Sequence, residues 1–188
     1  MDRRAGVAAG HEATAAAAAE VLRAGGGAVD AAVAGVWAAC VAEPILTGPL
    51  GAGLMAYAPP GEPAVLLDFF AETPGRGASP SPKESLDFVG VDVSFGPTTQ
   101  VFHIGRGSAA VPGTVAGLFD AHRRWGRLPM ADLVAPACRL AREGAEVSAR
   151  MAQMMRFLRP ILVHSPGARA LYAPEGELPG AGERFRNP

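Results

Sequence analysis

The sequence predicts an α+β fold. Its elements run in the order two helices, a hairpin, an extended piece and then several helices, with none of the strand–helix–strand alternation of a parallel α/β sheet. No internal repeat appears, and no linker divides the 188 residues, so residues 1–188 read as a single, partial domain.

Each element has a local cause. Residues 11–24 form a helix because alanine is the best helix former and Val21 and Leu22 give it an apolar edge. The glycine run at 25–27 stops it. A second helix over 28–42 carries Val29, Val33, Val36, Trp37 and Cys40 at helical spacing, with small residues between them, which predicts close packing and deep burial. Glu43-Pro44 ends it, and ILTGPLGAG at 45–53 follows as a glycine loop. Strands over 54–58 and 64–70 are joined by PPGEP, a hairpin turn. Residues 73–82 are irregular, with three prolines, and 99–104 is a third extended piece. Pro112 opens a helix closing near Gly126. Residues 130–143, striped by Leu133, Val134, Ala137, Cys138 and Ala141, and 148–163 are two more helices, the last kinked or ended by Pro160.

Composition excludes several functions. With a net charge of -1 and only 19% charged residues, no basic stripe is available to neutralise phosphates, so no nucleic-acid partner is expected. HRRWGR at 122–127 reads as a solvated helix end. The alanine run at 15–19 is broken off by Glu20 and Arg23, so it is neither a secretory core nor a membrane span, and a soluble, cytoplasmic chain without a membrane partner is expected. Cys40 and Cys138 sit in apolar helical patterns and read as buried, reduced thiols.

The chemical motifs are mostly negative. GAGLMA at 51–56 matches a dinucleotide fingerprint in letters, but a helix precedes it and a strand follows, the reverse of what the fingerprint needs. GRGSAA at 105–110 matches as loosely and lacks its acidic partner. His11, His103, His122 and His164 show no metal-ligand spacing, so no metal site is expected. Thr98-Thr99 lacks a neighbouring base or amine and reads as a turn entering a strand, not as a nucleophile. TGPLGAG can bring its backbone close to a substrate or to a neighbouring loop, since no side chain intervenes.

In order, LRAGGGAVDAAVAG, AEPILTGPLGAGLMAY, VLLDFFAETPG, AVPGTVAGL, LPMADLVAPACRLAREGAEVS and GERFRNP resemble the start of a γ-glutamyltransferase over nearly the whole chain. The resemblance implies a four-layer αββα N-terminal-nucleophile hydrolase made as a self-cleaving proenzyme, in which a freed threonine attacks a γ-glutamyl carbonyl. The acyl group then passes to water, an amino acid or a peptide. Neither metal nor organic cofactor is implied. The partners implied are a small-molecule γ-glutamyl or other amide substrate and the remaining, small-subunit part. In the family the nucleophile lies beyond the part matched here, so no catalytic residue is expected in this chain. These 188 residues alone are predicted to be inactive and prone to associate.

The resemblance also singles out Phe70. The family pattern near LDFRE places an arginine there that grips the substrate's α-carboxylate, whereas this chain has LDFFAE. Phenylalanine cannot replace a bidentate guanidinium–carboxylate pair. Arg76, six residues on, is the nearest arginine that could reach in. Three readings stay open: altered specificity for an acyl group without a free α-carboxylate, glutamyl binding through another residue, or a non-catalytic relative. Strand alternation puts Leu66, Asp68 and Phe70 on one face and Leu67 and Phe69 on the other. Phe70 then either packs in the core under 74–77 or lines a pocket.

Overall fold

The structure, a computed structural model, describes residues 5–77 and 87–187. The α+β class holds. The chain forms two compact units, the first from residues 5–71, 112–146 and 185–187 and the second from 72–77, 87–111 and 147–184.

In the first unit, α1 (Glu12–Arg23) and α2 (Ala28–Ala42) are joined by the predicted glycine stop. Gly25, at φ 92°, takes the left-handed conformation that ends α1. Gly25 N then donates to Leu22 O and Gly26 N to Val21 O, a Schellman closure. His11 caps the other end: its Nδ1 accepts from Ala13 N, so Nε2 carries the proton donated to Glu146 O at 3.0 Å. The histidine that offered no metal spacing is a helix cap.

Strands β1 (Gly53–Tyr57) and β2 (Val65–Phe69) form the predicted antiparallel hairpin, in register from Gly53–Phe69 to Tyr57–Val65. Its inner face, Met55, Tyr57 and Leu67, packs on a core of Val21, Val29, Val33, Ala34, Leu118, Ala121 and Leu133. Leu118 and Leu133, from α3 (Thr114–Trp125) and α4 (Met130–Glu143), are completely buried, each contributing about 1.5–3 kcal/mol. At the far end of α3, Arg123 and Arg124 both pair with Asp120 and are exposed, as expected of HRRWGR, but Trp125 of the same stretch packs against the core beside Tyr57.

Asp30 is the exception in this apolar core. It is 0% exposed, and its carboxylate accepts from Gly27 N at 2.7 Å and from Arg127 N at 2.9 and 3.2 Å. One side chain thus closes the first turn of α2 and fixes the loop after α3, and its charge is met by backbone donors.

In the second unit, β3 (Val89–Ser94) pairs with β4 (Thr99–Ile104), with Val89 opposite Ile104 and Ser94 opposite Thr99. The turn before β4 is closed by Phe95 N donating to Thr98 O, as the threonine pair suggested. Strand β3 was not foreseen. The helix expected over 148–163 is broken into α5 (Ala149–Phe157) and α6 (Arg159–Leu162), because Pro160 has no N–H to continue α5. A short α7 (Pro166–Tyr172) follows, capped by Ser165. Part of the stretch expected to be irregular, 78–82, lies outside the described residues.

Replacing Asp30 by Ala strands the Gly27 and Arg127 amides, and a loss of about 2–4 kcal/mol is expected. Urea unfolding should show it as a lower midpoint at unchanged slope.

Candidate functional site

Of the two predicted site residues, Phe70 lies at the end of β2. Alternation divides the strand as expected: Leu67 and Phe69 turn inward while Leu66, Asp68 and Phe70 face out. Phe70 is 66% exposed, so it is not part of the core. Phe69 does the packing instead. Its ring lies over Gly117 of α3 so closely that a Cβ there would enter it, and a Cβ on Gly53 would stand 2.7 Å from its Cε2.

The backbone at this strand end is held from below. A Cβ on Gly113 would collide with Phe69 O and stand 3.3 Å from Phe70 O, so only glycine lets the start of α3 approach. Gly113 N and Thr114 N donate to Gly51 O at 3.0 and 3.1 Å, and Gly51 N donates to Gly48 O. The glycine loop therefore supports a neighbour, as its composition allowed, and its neighbour is the first turn of α3. Asp68 lies on the exposed face, and its Oδ1 accepts from Phe70 N at 2.9 Å.

Arg76 belongs to the second unit. There its guanidinium lies 3.7 Å from the Glu72 carboxylate, with both side chains largely exposed. Glu72 is itself held by a bridge to Val111.

The gamma-glutamyltranspeptidase family profile matches residues 14–188, nearly the whole chain. The chain belongs to that family. It is 33% identical over 167 residues to an acylase ACY 1 proenzyme of Pseudomonas sp. strain V22, covering 89% of this chain and 30% of that protein. To the glutathione hydrolase proenzyme of Pseudomonas aeruginosa it is 35% identical over 136 residues, 72% of this chain and 23% of the relative. The chain thus spans less than a third of the length of these relatives. A gamma-glutamyltranspeptidase from Pseudomonas nitroreducens complexed with L-DON has the same fold, with TM-score 0.77 and 29% identity over 98% of this chain and 51% of the other.

No group of three or more potential metal ligands occurs among the described residues, and no helix among them is long and apolar enough to cross a membrane. The cysteine expectation needs correction: both thiols are free, but Cys138 is exposed and Cys40 only half-buried. Cys138 falls on the outer side of α4, whose buried side is made by Leu133, Pro136 and Ala137. Burial pushes the Cys40 thiol pKa up, against a hydrogen bond to Thr47, which leaves a poor nucleophile. The residues that sequence reasoning missed are Gly113 and the Asp68 partner, since both are set by atoms far along the chain or in the backbone.

Helix propensity alone gives Gly117→Ala about 1 kcal/mol of added stability. The Phe69 side chain reverses the sign: a net loss of about 1–3 kcal/mol is expected from thermal unfolding, and it is smaller than additive when combined with Phe69→Ala, which removes the Cγ and Cδ1 that the new methyl meets.

Proposed function

We propose that this chain is the N-terminal, large-subunit part of a γ-glutamyltransferase-like enzyme. It cleaves γ-glutamyl amide bonds of glutathione-type donors and passes the acyl group to water, amino acids or peptides. The nucleophilic threonine lies outside these residues, so the chain by itself shows no turnover. It contributes one wall of the site, at the end of β2 where Phe70 stands exposed in the place of the family pattern's arginine. The reaction class rests on family membership over residues 14–188.

A second reading is favoured by the same residue. A donor with no free α-carboxylate needs no guanidinium at position 70, and a relative named acylase matches at 33% identity, close to the 35% of a glutathione hydrolase.

The test is the longer protein containing this chain, assayed with a γ-glutamyl donor and an uncharged acyl donor. On the second reading the wild type prefers the uncharged donor, and Phe70→Arg raises kcat/KM for the γ-glutamyl donor by about tenfold or more, a conservative share of the roughly 2–5 kcal/mol such a charge pair carries. A wild type that already takes the γ-glutamyl donor with ordinary KM removes the second reading and leaves the first. Absence of turnover with any amide donor removes both.

A further inference from the structure

Phe70 lies one residue past the last pair of the β1–β2 ladder, Gly53 with Phe69, so no strand partner is available to its N–H. Asp68 supplies the acceptor, at 2.9 Å, from the same exposed face. No ion pair engages the Asp68 carboxylate among the described residues. A surface aspartate on a strand has little reason of its own to be there, since aspartate is depleted in strands. Here it makes a two-residue turn with the backbone ahead of it.

The other side of the same peptide is already fixed, because the Phe69 and Phe70 carbonyls rest against Gly113. Carbonyls are held from below by the start of α3, and the amide is held from the open face by Asp68. We propose that Asp68 is a positioning residue for the specificity position. Through the Phe70 amide it sets the backbone from which side chain 70 meets the donor. The role toward a donor rests on the function proposed above; the hold on the backbone does not.

Two measurements test this, with Asp68→Ala and Asp68→Asn. In the longer protein containing this chain, amide hydrogen exchange at Phe70 should be about tenfold faster in Asp68→Ala, while Asp68→Asn, which keeps an Oδ1 acceptor, retains much of the protection. The Phe69 amide, inside the ladder, should not change. In the longer protein Asp68→Ala should raise KM for the acyl donor about fivefold with kcat little altered, and Asp68→Asn should restore most of it. An Asp68→Ala variant whose Phe70 amide exchanges at the wild-type rate overturns the proposal, as does an Asn variant as impaired as the Ala one. If the longer protein turns over no amide at all, the proposed function fails, and the exchange rates still decide the role of Asp68.

Discussion

The close approach of two backbones at Gly113 governs the first unit. A strand end and a helix start can touch this way only if one of them lacks a Cβ, and here it is the helix residue. The contact then determines its surroundings. The Phe69 carbonyl faces Gly113, Gly117 must be small one turn on to receive the Phe69 ring, and Gly51 presents its carbonyl to the amides of 113 and 114. These four residues lie in three stretches separated by tens of positions. None of them has a local reason for its identity.

Helix packing beneath this contact follows from small side chains. Ala31, Ala34 and Ala38 are buried on α2, and Gly35 of the same helix lies against Ala18 of α1. Alanine helices approach closely but bury little area per residue, so the apolar stabilisation concentrates in Val33, Leu118 and Leu133. Asp30 adds direction to this uniform surface. A buried carboxylate satisfied by three backbone contacts is tolerated in one register only, which fixes how the start of α2 meets the loop after α3.

How far the fold was legible depended on whether its causes were local. The Gly25–Gly27 stop, the PPGEP turn and the break at Pro160 are each decided within a few residues, and all three stood in the structure as read. Strand β3 was not legible although Val91 and Val93 alternate inward with Gly90, Asp92 and Ser94 outward, because a run of six residues with two inward positions is too short for its alternation to stand out. Helix α7 spans only seven residues, too few for periodicity to show. Cys138 sat within an apolar pattern, yet α4 uses Leu133, Pro136 and Ala137 for its buried side, and pattern alone could not choose between neighbouring faces. At the site, Phe70 was legible by its departure from a motif. Gly113 was not, since the atom that requires a glycine there belongs to residue 69.

The strand end therefore separates two demands that most positions combine. Its backbone is confined on one side by Gly113 and on the other by Asp68, while the side chain of Phe70 projects outward and contributes nothing to the core. Surface substitutions away from packed features usually change stability little. Position 70 can exchange an aromatic ring for a guanidinium without disturbing the hairpin or α3, so a change in donor preference there reports on recognition and not on folding. Phe69, one residue earlier and chemically identical, has no such freedom, because its ring occupies the space left by Gly53 and Gly117. The two adjacent phenylalanines thus have opposite surroundings: the first packs against Gly53 and Gly117, and the second stands open at the strand end.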